Sequence, residues 1–308
     1  MYFLSQNKQN HKENTGINPA ARKVKIKENI DIFKCPVCGD RMHFDDYKSI
    51  ICPNKHCFDI SRSGYVNLLL KPPKHKYDKE MFEARNIICS MGFFDPLIDA
   101  IVGLILNNVS DNASGSIRIL DAGCGEGYHL SQIIKKLQQN QGTHLQGIGI
   151  DISKDGIQFA AKNYQSIMWC VADLAKIPFM DKKFDIVLNI LSPSNYSEFS
   201  RIIGNEGVLI KVVPDSGYLK ELRNALYQGT NREQYSNEKI IEHFGRNFRI
   251  MNTQKVMYNV SVNREELSHL IKMTPLSWRA SDEAIRKALD GKIDRITADF
   301  TVIIGKSR

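Results

Sequence analysis

Cys35 and Cys38 stand two residues apart, Cys52 and His56 three apart, and thirteen residues separate the two pairs. Three soft thiolates and an imidazole in two close pairs suit a single tetrahedral zinc ion held for structure. A proline after the first cysteine of each pair, and Gly39 after Cys38, fit the turns of a zinc ribbon. A redox role for Cys35-x2-Cys38 needs a thioredoxin-like strand-to-helix context, which the neighbouring residues lack. Cys57 competes with His56 for the fourth position, and spacing alone does not choose between them. A second constellation is acidic. Asp121 lies two residues before Gly123-x-Gly125-x-Gly127, Asp151 ends the run Leu145-Gln-Gly-Ile-Gly-Ile, and Asp173 follows Ile167-Met-Trp-Cys-Val-Ala. Glycines serve where a strand turns sharply into a helix and a ligand must lie against bare backbone. An acid at the end of a second strand suits the two hydroxyls of a ribose. Dinucleotide binders favour G-x-G-x-x-G, which this is not.

These acids need parallel strands to present them. From Ile117 the apolar runs imply strands near 117–121, 145–150, 167–171, 184–190 and 207–213, with helices between. Ligands of such sheets sit outside the carboxyl ends of the strands. Helices are expected near 80–88, 97–106, 217–227 and 235–244, and closing strands near 248–261 and 295–304. The alternation at the start of the last strand suggests a partly exposed edge hairpin. The fold class expected is α/β, a class I (Rossmann-like, seven-stranded) domain with a small N-terminal zinc-ribbon module. The expected divisions are a basic, disordered extension over 1–31 and the zinc module over 32–70. A linker loop and helices over 71–108 then lead to the main domain over 109–308.

The 308 residues are 42% hydrophobic and 25% charged, a globular composition. No apolar run approaches the roughly 18 residues of a membrane helix, and the N-terminus lacks a signal-peptide core. The sequence therefore reads as cytoplasmic, with no membrane partner. Seven cysteines suit free thiols or metal ligands better than a disulfide framework. The net charge is +8, and three quarters of the excess falls in the first 80 residues. This asymmetry suggests a polyanionic partner. The loop Lys71-Pro-Pro-Lys-His-Lys-Tyr-Asp-Lys79 is a nucleic-acid contact or a linker, and replacing Lys74 and Lys76 is expected to weaken RNA binding alone.

The order Asp-x-Gly-x-Gly-x-Gly, Gly-x-Asp and Ala-Asp resembles the class I S-adenosylmethionine (SAM)-dependent methyltransferases. More closely, residues 33–306 resemble the RlmA family of 23S rRNA guanine-N1 methyltransferases. The matching segments are the cysteine pairs, Gly64-Tyr-Val-Asn-Leu-Leu, Glu83-Ala-Arg85, Leu120 to Tyr128, Gly149 to Lys154, Ile177-Pro-Phe179, Leu222 to Tyr227 and Met273-Thr-Pro-Leu-Ser-Trp-Arg279. Leu191-Ser-Pro-Ser-Asn-Tyr196 looks like the Gram-positive branch, whose members are associated with tylosin resistance. The resemblance implies SAM and one structural zinc as cofactors, 23S rRNA as partner, and a homodimer. It implies Cys35, Cys38, Cys52 and His56 as ligands, with Cys57 a departure that leaves ligand exchange open. It also implicates Phe94, Gly125, Glu126 and Tyr218 around the cofactor. Tyr218 stands where the better-known branch has histidine. Asp121, Gly123, Asp151 and Asp173 come from the residues themselves.

Structural roles compete for several of these. Asp121 could cap the following helix, Asp173 could be a surface acid, and Phe94 a core aromatic. Cys124 and Cys170 read as buried apolar residues, Trp278 as core and Arg279 as a salt-bridge partner. The pocket for a flipped base is expected beside Asn189 to Tyr196, with Pro193 and Tyr196 as walls. Glu198 and Asp215 are proton acceptors by sequence proximity alone, so no catalytic residue is named. Two other functions compete: a small-molecule methyltransferase with a purely structural zinc, and a non-catalytic RNA-binding protein.

Overall fold

The computed structural model describes residues 19–46, 48–72, 78–109, 116–140, 144–227 and 235–308. Helix α1 (Pro19–Glu28) and a 3-10 turn at Ile30–Ile32 precede strands β1 (His43–Asp45), β2 (Ser49–Ile51) and β3 (Cys57–Asp59). A short strand β4 (Val66–Asn67) and helices α2 (Lys79–Ser90) and α3 (Asp95–Asn108) follow. The main domain alternates β5 (Ile117–Ala122), α4 (Tyr128–Asn140), β6 (Leu145–Asp151), α5 (Lys154–Asn163), β7 (Met168–Val171), β8 (Phe184–Ile190), α6 (Tyr196–Ile202) and β9 (Ile203–Pro214). It closes with α7 (Lys220–Tyr227), α8 (Glu238–Asn247), β10 (Phe248–Ser261), α9 (Arg264–Met273), a 3-10 turn at Pro275–Arg279, α10 (Asp282–Asp290) and β11 (Arg295–Ser307).

β1, β2 and β3 form an antiparallel sheet. The large sheet has the order β10-β11-β9-β8-β5-β6-β7-β4. Apolar runs such as Phe184-Asp-Ile-Val-Leu-Asn-Ile190 form its interior strands, buried on both faces by flanking helices, as parallel sheets require. The count is eight, not the expected seven. The eighth strand, β4, lies in the segment assigned to the zinc module and pairs parallel with β7, Val66 opposite Cys170 and Asn67 opposite Val171. Leu68 N–H continues the ladder to the Val171 carbonyl.

Three further expectations are corrected. Residues 19–31 are not a loose tail: Ile26 and Ile32 are fully buried, and Asp31 binds the side chains of Arg118 and Lys183. Residues 1–18 lie outside the described residues, as do Lys74 and Lys76. The hairpin does form the sheet's edge, but only β10 is outermost and exposed, while β11 is buried between β10 and β9. Trp278 is 38% exposed rather than core, because it sits on the 3-10 turn at Pro275–Arg279, in which no residue is buried. Cys124 and Cys170 are buried as expected. Among the described residues, no single helix is long and apolar enough to cross a membrane.

Two glycines beside Trp169 have a packing cause. A Cβ on Gly149 would meet the Trp169 ring at 2.2 Å, and one on Gly127 would meet it at 2.5 Å. Trp169 is 1% exposed, and its Nε1–H donates to the Tyr164 carbonyl, so the ring has nowhere to move. Overpacking of this kind costs about 1–3 kcal/mol. Gly149→Ala is expected to lower the melting temperature by about 5 °C. A thermal melt unchanged within 1 °C would show that the ring yields.

Candidate active site and metal centre

The ribbon's turns bring the four ligand atoms of Cys35, Cys38, Cys52 and His56 within 4.8 Å of one another. Cys35 N–H donates to the Asp40 carbonyl and Gly39 N–H to the Cys35 carbonyl, with Gly39 at φ +83°, which closes the first knuckle. In the second, Lys55 at φ 62° turns the chain so that His56 faces Cys52. Cys38 Sγ lies 3.6 Å from Cys52 Sγ, and His56 Nδ1 lies 3.7 Å from Cys35 Sγ and 3.3 Å from Cys52 Sγ. A tetrahedral zinc with bonds of about 2.3 Å to sulfur sets its ligands about 3.5–3.8 Å apart. The donor set and spacing fit zinc. Cys57 is exposed on β3 and outside the cluster.

At the carboxyl ends of β5 and β6 the glycine turn is held by Asp151. Its two carboxylate oxygens accept from Gly125 N–H at 2.9 Å and Ser153 N–H at 2.8 Å. Gly123, Gly125 and Gly127 all have positive φ, a backbone that L side chains avoid. Asp121 is 1% exposed, and its Oδ1 finds no hydrogen-bond partner. Burial first, then the Asp151 and Glu126 carboxylates, push its pKa up to about 8 against the pull of Arg85. A buried acid with an open oxygen beside bare backbone fits the ammonium of an amino-acid ligand. Ser192 Oγ rests where a Gly123 Cβ would be, so the loop after β8 covers this turn.

Glu126 is fully buried, and its carboxylate lies 2.9 Å from Arg85 Nε of α2. Burial raises its pKa, and the Arg85 guanidinium opposes that shift. Phe94, at the start of α3, is 1% exposed and packs edge-on to His129 with centroids 4.8 Å apart. Tyr218 packs against Phe300 with tilted rings and centroids 5.0 Å apart, and burial raises its pKa.

Phe94 and Tyr218 line one cavity of about 560 Å³, together with Arg85, Lys211 and the loop Leu191–Pro193. Its far wall includes Arg223, Tyr235 and Met273 to Leu276. Asp173 is exposed and apart, in a shallower depression shared with Asn195, Tyr196 and His243; Pro193 lines both hollows. Pro193 thus serves as a wall of the main cavity, whereas Tyr196 does not. The Tyr196 ring is buried against His243 and Phe244. Neither sequence-nearby acid reaches the main cavity. Glu198 accepts from Ile177 N–H and pairs with Arg201, and Asp215 accepts from Ser216 N–H and Thr301 Oγ1.

Two cavity residues escaped the sequence reading. Lys211 is 4% exposed, and its Nζ donates to Asn189 Oδ1 and the Ser192 carbonyl, both at 2.5 Å. Asn189 in turn donates to the Ala122 and Pro193 carbonyls, so this amine and amide fix the loop against the glycine turn. Burial lowers the Lys211 pKa to about 8. A lysine inside the apolar run Val208-Leu-Ile-Lys-Val-Val213 was the available signal, because a buried strand rarely keeps a charge. Arg85 gave no such signal within the polar and apolar mixture of α2.

Residues 33–79 match the family of RlmA N-terminal zinc ribbons, and residues 113–288 match a methyltransferase domain family. The chain is 44% identical over 284 residues to a Bacillus subtilis protein described as a 23S rRNA (guanine-N(1)-)-methyltransferase, covering 91% of this chain and 99% of that one. It is 28% identical over 265 residues to the 23S rRNA (guanine(748)-N(1))-methyltransferase of Streptomyces fradiae, covering 85% and 91%. With both modules matched and a relative aligned almost end to end, the chain belongs to the RlmA-type 23S rRNA (guanine-N1) methyltransferase family, SAM-dependent enzymes with an N-terminal zinc ribbon.

Proposed function

We propose that this chain transfers a methyl group from SAM to N1 of one guanine in 23S rRNA. The observation that carries the reading is the 44% identity to the Bacillus relative across 91% of the chain, zinc ribbon included. SAM supplies a methyl made electrophilic by the adjacent sulfonium. In this reading Asp121 takes its ammonium and Asp151 the ribose hydroxyls, while Phe94 and Tyr218 form aromatic walls; Asp173, which faces a separate depression, has no part in it. Asp121, Asp151 and the glycine turn lie together at the carboxyl ends of β5 and β6, which supports their part of that assignment.

The remaining work is on the guanine. N1 carries a proton at neutral pH, so the base must first lose that proton to water and react as the anion, its charge shared with O6. Among the described residues, no carboxylate lines the main cavity, whereas Lys211 and Arg223 do. A cavity lined by cations lowers the cost of the anionic guanine by stabilising its negative charge. The enclosed apolar surface of Leu191, Pro193 and Met273 excludes water around a base turned out of its stack. Arg41, Lys48, Lys55 and Arg62 of the zinc module are exposed and available to RNA phosphates. Binding through them weakens steeply with salt.

Mass spectrometry of 23S rRNA from cells with and without the gene tests the reading. The expected result is loss of one N1-methylguanine at a single position. Unchanged rRNA would overturn it in favour of a small-molecule substrate.

A further inference from the structure

The methionine end of SAM carries both an ammonium and a carboxylate, so a complete site needs a cation as well as the open acid Asp121. Only one basic side chain of the cavity lies against the glycine turn. Arg85 Nη1 comes within 3.6 Å of the position a Cβ would take on Gly125. We infer that Arg85 anchors the methionine carboxylate, with Glu126 and His129 holding its guanidinium in place. The inference rests on the methyltransferase reading above and adds to it a residue outside the methyltransferase-domain match.

The guanidinium is aimed by its surroundings. The Asp78 side chain accepts from Met81 N–H at 2.8 Å and so fixes the start of α2. Phe82, Ala84, Ile88 and Cys89 of the same helix are buried, which presses its Arg85 face onto the turn. Two of the three guanidinium nitrogens face protein groups: Nε lies 2.9 Å from Glu126 Oε2 in an ion pair without hydrogen-bond alignment, and Nη2 lies 3.3 Å from His129 Nδ1. Burial, then the neighbouring Arg85, hold His129 neutral, so its Nδ1 is free to accept. No hydrogen bond to Nη1 is seen among the described residues, and Arg85 lines the cavity. Two nitrogens held and one open describe a planar charged fork pre-set for an incoming carboxylate. The arrangement also assigns Glu126 a job that its total burial otherwise leaves unexplained. It positions the cation from behind.

Calorimetric titration with two ligands tests this. S-adenosylhomocysteine has the amino-acid end, and 5′-methylthioadenosine lacks it. Arg85→Met should weaken S-adenosylhomocysteine binding about 30-fold, or about 2 kcal/mol, and leave 5′-methylthioadenosine within about twofold. The double variant Arg85→Met/Glu126→Gln removes both charges of the pair, so no lone buried carboxylate threatens the fold, and it should show the same discrimination. Equal losses for both ligands in the double variant, or none for either, would overturn the role of Arg85 while leaving the methyltransferase reading intact. An RNA-phosphate role for Arg85 would appear as that second outcome, accompanied by weaker RNA binding. Failure of the wild-type protein to bind S-adenosylhomocysteine would overturn both readings together.

Discussion

Removing zinc from Cys35, Cys38, Cys52 and His56 is expected to unfold the N-terminal module and to spare the main sheet. The argument is one of proportion. Structural zinc binding is worth about 10–16 kcal/mol in small finger peptides, where it is the folding energy. Here the three-stranded sheet has three-residue strands, and besides the metal-bearing Cys35 and Cys52 it is packed by only a few buried residues, among them Phe33, Met42, Ser49, Ile50 and Ile60. So small a core cannot offset the ordering of the ribbon without the metal. One face of the main sheet packs on a large core that contains no residue of 33–59 and so does not depend on the ion. Hydrogen exchange read by mass spectrometry should show the amides of 43–59 losing protection after chelation, while those of 117–122 and 184–190 keep theirs. A metal-free protein, verified by elemental analysis, that still protected 43–59 would refute this.

The second large effect is on Asp121. Asp121→Asn should weaken S-adenosylhomocysteine binding by about 100-fold, the order expected when a charge-assisted hydrogen bond to a buried ammonium is lost. Its titration gives a sharper test. The folded-state pKa is raised from 3.8 to about 8, chiefly by burial. The free protein therefore holds a proton there at pH 7, and the carboxylate must form when it meets an ammonium. Binding should release close to one proton at pH 7, and affinity should rise with pH, levelling off above pH 8. For the fold itself the sign is opposite to that of a salt-bridged acid. With its pKa raised on folding, this group's contribution is fully present below pH 3.8 and is lost as pH rises through 8. Calorimetry at pH 7 in two buffers of different ionisation heat should give different apparent enthalpies for the wild type and equal ones for Asp121→Asn. Equal enthalpies for the wild type would remove the assignment.

Strand ends were the most legible part of the sequence. Apolar runs that stop at an acid and a glycine set β5 to β9 within a few residues, and the two cysteine pairs located the metal. The start of β9 was missed by four residues, because Ile203-Gly-Asn-Glu-Gly207 lacks the apolar run that marks its centre. What escaped was what depends on contacts between distant segments. Val66–Asn67 is too short to read as a strand of a remote sheet, and only β7 makes it one. The polar composition of 19–31 hid a helix whose Ile26 is buried and whose following turn is clamped by Arg118 and Lys183. Arg85 is unremarkable on its own helix and acquires meaning only from Glu126 and Gly125, about forty positions away in the chain. Acids near the cavity in sequence, Glu198 and Asp215, proved engaged elsewhere, since adjacency along a loop does not fix where a side chain turns.

The pairing of β4 with β7 has a consequence for how the protein behaves in a cell. Without that partner, Met168-Trp-Cys-Val171 would end the sheet as a wholly apolar strand with its outward N–H and C=O groups bare. Strands of that kind recruit copies of themselves. The residues just after the ribbon cover that rim, and they are anchored to the ribbon through the Ile60–Val66 bridge. Metal loading is therefore also a solubility checkpoint. A chain starved of zinc would betray itself first as aggregate, before any deficit in RNA modification could be counted.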